Sequence, residues 1–177
     1  EIDRESIDAR GDDLHYSYSV YASIKNEDKY LKNRDVKKES KEVYNLPTTA
    51  KTPSQRPIIV GFGPSGMYAG LILAEAGLKP IIIERGQAVE QRTKDINEFF
   101  TKGKLLESSN VQFGEGGAGT FSDGKLTTRM KNIRVSKVYE EFVEAGANPA
   151  ILYQQRPHLG TDVLQTIVKK IREKIIR

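Results

Sequence analysis

The chain has 177 residues, 37% hydrophobic and 29% charged, proportions that belong to a soluble globular protein with one sizeable core and room for a small appended unit. No apolar run approaches the roughly 18 residues that a membrane helix needs. Cysteine is absent, which excludes a disulfide framework and a Cys-x-x-Cys redox pair and fits a reducing, cytoplasmic setting. The net charge of +4 comes from lysines and arginines interleaved with acids, so no basic stripe for nucleic acid is present.

From Leu14 to Ile24 the residues alternate, with Leu14, Tyr16, Tyr18, Val20, Ala22 and Ile24 on one side and His15 among the polar residues on the other. A period of two predicts a half-buried strand. Residues 26–43 are charge-rich and aperiodic, and residues 47–57 hold three prolines, three threonines and a serine, a composition that marks a linker between residues 1–46 and 58–177.

The next apolar run, residues 57–60, ends in glycines. Ser65 to Ala76 reads as a helix and Lys79 to Glu84 as a second strand, giving a βαβ unit in which Gly70 is a small residue on the helix. Val89 to Phe100 has helical spacing. Residues 111–128 are glycine-rich without periodicity, which suits a binding loop. Val135, Val138, Tyr139, Phe142 and Val143 recur at helical spacing up to a stop at Gly146, and a last helix follows Thr161, an N-cap candidate. That helix groups Val163, Leu164, Ile167, Val168, Ile171 and Ile175 on one face, and the basic run from Lys169 to Arg177 reads as its solvated side.

Gly61, Gly63 and Gly66 form G-x-G-x-x-G between the first strand and the helix, with Pro64 and Ser65 inside the motif. The first glycine permits a tight turn, the second admits a pyrophosphate against bare backbone, and the third lets helix and strand pack closely. The helix N-terminus presents N–H groups to the phosphates. Glu84 ends the second strand where an acid accepts hydrogen bonds from ribose hydroxyls, which favours FAD or NAD and disfavours a 2′-phosphate. Arg85 and Arg92 follow it, each either a two-pronged phosphate ligand or a solvated helix arginine.

The segment NVQFGEGGAGTFSDGKLTTR holds Gly114, Gly116, Gly117, Gly119 and Gly124. Glycines in such number are costly in chain entropy unless backbone must approach something closely. With Thr120, Ser122 and Lys125 among them, the loop suits the pyrophosphate or the flavin end of FAD, or else is a mobile surface loop. His158 in RPHLGTD is either a proton donor beside such a site or a structural loop residue. Asp123, Lys125, Arg129 and His158 are the polar groups close to it, and none forms a nucleophile and base pair.

These blocks, with SIDAR at residues 6–10, FVEAGA and PHLGTD, resemble the bacterial and archaeal FAD-dependent dehydrogenases of uncharacterised substrate. The resemblance spans nearly the whole chain. It implies an α/β, Rossmann-type FAD-binding domain of the two-dinucleotide-binding flavoprotein type, preceded by part of a small α+β domain. It further implies that FAD is held by Gly61, Gly63, Gly66 and Glu84, with NAD(P)H a possible electron donor. A looser similarity to flavoproteins with a second glycine loop against the flavin adds Gly116, Gly117, Gly119 and Thr120 as contacts. The remainder of the FAD domain and a substrate domain are expected beyond Arg177. An NAD(H)-binding dehydrogenase domain and a non-catalytic nucleotide-binding module are the alternatives.

Overall fold

The computed structural model describes residues 1–40, 42–48, 53–128 and 130–177. Part of the linker, and Arg129, therefore lie outside the described residues. The fold is mixed α/β with two small sheets.

The first sheet is an antiparallel hairpin of β1 (Ile2–Asp8) and β2 (His15–Val20). The alternating segment is thus a strand, shorter than the pattern suggests, and its partner β1 was not evident from the sequence. Half-burial is not observed: every residue of β2 is exposed, Tyr16 and Val20 at 66% and 60%. A two-stranded ribbon has two open faces, and no described element covers the one bearing Tyr16 and Tyr18, so periodicity alone leaves it wet. The hairpin is tied to the rest by the Glu5 N–H, which donates to the Tyr153 carbonyl at 2.9 Å. The charge-rich stretch contains a single helical turn, α1 (Glu27–Tyr30).

The second sheet pairs β3 (Ile58–Val60) with β4 (Ile81–Ile83) in parallel, Ile59 opposite Ile82. Helix α2 (Pro64–Glu75) connects them, so strand, helix and parallel strand form the expected βαβ unit. Ile59 and Ile82 face α2 at Gly70, where an added Cβ would come 2.6 Å from the Ile82 Cδ1. The opposite face carries Ile58, Val60 and Ile83, exposed at 65%, 84% and 53%. Parallel sheets are ordinarily covered on both sides, whereas no described element covers this face.

Helix α3 (Val89–Lys102) follows, ended by Gly103 in the left-handed conformation. The glycine-rich loop comes next and contains one 3-10 turn, Ala118–Phe121. Helix α4 (Ile133–Glu144) starts at Asn132, whose side chain accepts from the Arg134 N–H, and stops before Gly146 at φ +108°. Helix α5 (Thr161–Ile176) has Gly160 at its N-cap rather than Thr161, and the Thr161 hydroxyl instead donates to the Ser122 carbonyl at 2.8 Å.

The core gathers around α5. Leu164, Ile167, Val168 and Ile171 are buried against Met67 and Leu71 of α2, Val89 of α3 and Phe142 of α4. Two ionic hubs reinforce it. Buried Glu141 accepts from Lys137 at 2.6 Å and from Lys174 at 2.8 Å. Buried Glu115 accepts from the Val89 N–H and from Arg172, each at 2.6 Å, and Arg172 also pairs with Glu90 at 2.7 Å. Arg172 and Lys174 therefore pin α5 to its neighbours, which corrects their reading as solvated helix residues: the amphipathic pattern marks the apolar face but not which cations reach back over it. No described helix is long and apolar enough to cross a membrane.

Candidate functional site

The βαβ unit brings the glycine motif to the C-terminal end of the parallel strands. The Gly61 N–H donates to the Ile83 carbonyl at 2.7 Å, extending the pairing one residue past β3, and its φ of +95° is one that side-chain-bearing residues rarely adopt. Gly66 sits so close to the turn that a Cβ there would overlap the Gly61 carbonyl oxygen. Gly63 differs from both. Its φ is −74°, and a Cβ on it would meet nothing within 4 Å. The fold gives no reason for glycine there, and the space over its Cα is open.

Gly63 is also the N-cap of α2, where no side chain caps the helix, Pro64 occupies the first turn and Ser65 is exposed. The first-turn N–H groups of a helix have no intrahelical partner, so this end presents uncapped donors and the positive end of the helix dipole.

Glu84 does not stand free. Its Oε2 accepts from the Phe62 N–H at 2.7 Å and its Oε1 from the Gly86 N–H at 2.8 Å, so the carboxylate braces the first glycine loop against the turn after β4. Each oxygen keeps a further lone pair for an outside hydroxyl. A cavity of about 840 Å³ begins at Glu84, Phe62 and Glu115 and runs along β4 between α2 and α5.

The second glycine loop is seated on the first. The Gly116 N–H donates to the Phe62 carbonyl at 2.7 Å, and the Glu115 N–H to the Gln87 carbonyl at 3.1 Å. A Cβ on Gly117 would lie 3.2 Å from the Pro64 Cδ and 3.4 Å from the Gly63 Cα. A Cβ on Gly116, which is buried, would overlap the Thr120 hydroxyl. Gly119, by contrast, is exposed and has nothing within 4 Å of a Cβ position.

The remaining residues selected from sequence divide. Arg85 is exposed, its guanidinium 4.8 Å above the Phe113 ring. Arg92 is neither a phosphate ligand nor a solvated arginine: it is wholly buried and donates only to loop carbonyls. Its Nε reaches Asn110 at 2.9 Å, Nη2 reaches Val111 at 3.0 Å, and Nη1 reaches Glu115, Gly117 and Gly114 at 2.7, 2.8 and 3.4 Å. The Phe121 ring lies 4.7 Å from its Cζ, and burial lowers its pKa against the opposing pull of Glu84 and Glu115. The amphipathic reading failed here because helical spacing locates a residue on a face but says nothing of a loop that wraps back over it. Thr120 turns inward, its buried hydroxyl without a hydrogen-bond partner. The Ser122 hydroxyl donates to the Gly119 carbonyl at 2.7 Å and stabilises the turn. Lys125 pairs with Asp123 at 2.7 Å and lies across a short antiparallel bridge from exposed His158, with both cation and imidazole at the surface rather than in an enclosed site.

Glu115 was not singled out from sequence. Burial pushes its carboxyl above the ordinary value, against the Val89 N–H and Arg172, which pull it down, and its Oε1 is buried without a partner. A glutamate between glycines carries no sequence signal that separates it from a surface acid. Among the described residues, no cluster of three or more His, Asp or Glu could hold a metal ion.

No family model matches the chain. The chain is similar to an uncharacterized protein of Clostridium beijerinckii, 46% identical over 182 residues. That match takes in 100% of this chain and 34% of the relative, so the chain spans about a third of its relative's length.

Proposed function

We propose that the chain supplies the adenosine- and pyrophosphate-binding part of an FAD-dependent oxidoreductase. The observation that carries this reading is the seating of the second glycine loop on the first. Two backbone surfaces meet at the uncapped start of α2, and Gly63 and Gly119 leave open the volume that side chains would fill. A simple nicotinamide site needs only the first loop. A second glycine loop extends the bare-backbone surface beyond the pyrophosphate, as a longer cofactor requires.

The residues present fit the group. The N–H groups at the uncapped start of α2, with the open backbone at Gly63, would hold a pyrophosphate, aided by the helix dipole. Glu84 accepts ribose hydroxyls through its remaining lone pairs and repels a 2′-phosphate. A flavin held there would supply hydride-accepting redox chemistry, while the residues of this chain would supply orientation and electrostatics. In the longer polypeptide that the relative's length points to, further elements cover the exposed face of β3 and β4 and complete a Rossmann-type sheet.

The test is chemical. The full-length protein is purified and denatured, and any released nucleotide is identified by absorbance and chromatography. FAD in the supernatant supports the reading. A protein that releases no flavin, cannot be reconstituted with FAD and yet binds NADH refutes it in favour of a nicotinamide domain. Bound FAD that no reductant can reduce would make the cofactor structural.

A further inference from the structure

In a trans peptide the carbonyl of one residue and the N–H of the next point in opposite directions. The Arg92 guanidinium draws the carbonyls of Gly114, Glu115 and Gly117 inward, so the N–H groups of Glu115, Gly116 and Ala118 are turned outward. Two of these are accounted for: Glu115 donates to Gln87 and Gly116 to Phe62, both beside the first glycine loop. The third, Ala118, opens the 3-10 turn, which has no side-chain cap. A single buried cation thus sorts the polarity of the loop.

We propose that Arg92 is a positioning residue for the dinucleotide, acting through the second glycine loop without touching the ligand. This rests on the cofactor reading above. Left to itself, a loop with Gly114, Gly116 and Gly117 at φ +122°, +80° and +67° has many conformations, several of which aim carbonyl oxygens at a phosphate. The guanidinium removes them by holding five carbonyls at once through its Nε, Nη1 and Nη2, braced by the Phe121 ring. Lysine offers three donors on a point charge and cannot span that ring of acceptors.

The experiment uses the full-length protein with Arg92→Lys, and Ile151→Val as a buried core variant in the 3-10 turn Pro149–Leu152, which packs on α4. Hydrogen exchange over residues 110–121 reads the loop directly. Titration with FAD, and in parallel with NADH, reads affinity, and flavin circular dichroism reads the surroundings of the bound ring. Arg92→Lys is expected to accelerate exchange in the loop, weaken FAD by about tenfold or more and alter the flavin dichroism. Ile151→Val is expected to lower the melting temperature with affinity and dichroism unchanged. Wild-type affinity in Arg92→Lys overturns the proposal, as does equal weakening in both variants, which would reduce Arg92 to general stability. If the unsubstituted protein binds neither FAD nor NADH, the cofactor reading itself fails and the proposal with it. In that case faster loop exchange in Arg92→Lys leaves only a structural clamp.

Discussion

Gly63 and Gly66 stand three residues apart in one motif, and the structure assigns them opposite consequences on substitution by alanine. At Gly66 the new methyl overlaps the Gly61 carbonyl oxygen, lies 3.0 Å from its carbon and 3.4 Å from the Ile59 Cγ2. The carbonyl cannot swing aside cheaply, because it shares a peptide plane with the Phe62 N–H, which donates to the Glu84 carboxylate at 2.7 Å. Helix α2 must therefore lift from β3, loosening Met67 and Leu71, which are 4% and 1% exposed. Overpacking against backbone costs about 3 kcal/mol, and the better helix propensity of alanine returns about 1. A net loss of about 2 kcal/mol lowers the melting temperature of a domain this size by roughly 4–8 °C. At Gly63 the methyl meets nothing within 4 Å at a φ of −74°. The weaker N-cap and the smaller entropy of the unfolded chain then nearly cancel, leaving the melting temperature within about 1 °C. That methyl occupies the volume assigned to the pyrophosphate, so dinucleotide affinity falls by about tenfold or more. Thermal melts by circular dichroism and titration with FAD measure the pair. The reasoning is refuted if Gly63→Ala melts as early as Gly66→Ala, or if it binds FAD as tightly as the unsubstituted protein.

The ionic hubs predict opposite pH dependences. Hydrogen bonding and charge from Arg172 hold the Glu90 carboxyl down from 4.5 to about 2, so its stabilisation is present above about pH 4.5 and lost as the pH falls toward 2. Burial pushes Glu141 up, but Lys137 and Lys174 outweigh it and leave the carboxyl below its ordinary value, so it acts in the same direction. Acid should therefore loosen α5 first, seen as early loss of amide protection over residues 161–176, and uniform loss across the chain would refute this. Glu115, raised by burial, contributes stability at low pH that is lost as the pH rises through its folded value. Glu115→Gln should consequently gain on the unsubstituted protein as the pH rises above the ordinary carboxyl value of 4.5, and a constant difference in melting temperature would show that its charge is not the cause. Val60→Glu, on the open face of β3 at 84% exposure, should change the stability of the chain by itself by less than about 0.5 kcal/mol yet cost several times more in the full-length protein. Equal effects in both would mean that nothing covers that face.

What the sequence revealed followed from local rules. The βαβ unit was legible because its apolar runs, glycine turn and terminal acid each report on neighbouring residues. Helices α3, α4 and α5 were legible from apolar spacing, to within two residues at each end. Failures arose where distant parts of the chain decide the outcome. The β2 alternation described one strand correctly but could not show that no described element covers its face. Thr161 looked like a cap, but Gly160 already adopts the extended N-cap conformation, and the Ser122 loop takes the hydroxyl. Arg172 and Lys174 looked like surface cations, and Arg92 like either a phosphate ligand or a solvated arginine, because a sequence pattern records which side of a helix a residue occupies, not which carbonyls or carboxylates arrive there from 18 to 82 residues away.

A loop must have small, conformationally free residues for backbone to approach a ligand, and it must also be held in one conformation for the approach to cost little entropy. Here the two requirements are met by different parts of the chain. Glycines supply the approach, while Arg92 of α3, Phe62 of the first loop and Gln87 after β4 supply the anchoring, each bonding to loop backbone rather than to a loop side chain. Because these anchors contact backbone, the loop's exposed side chains, unlike buried Glu115 and Thr120 and the Phe121 ring against Arg92, are left free to vary with the proposed ligand. Substitutions at exposed positions such as Lys125 are therefore the ones by which this scaffold would change specificity while keeping its cradle. Substitutions at Arg92 or Gly116 would lose the cradle whatever the ligand.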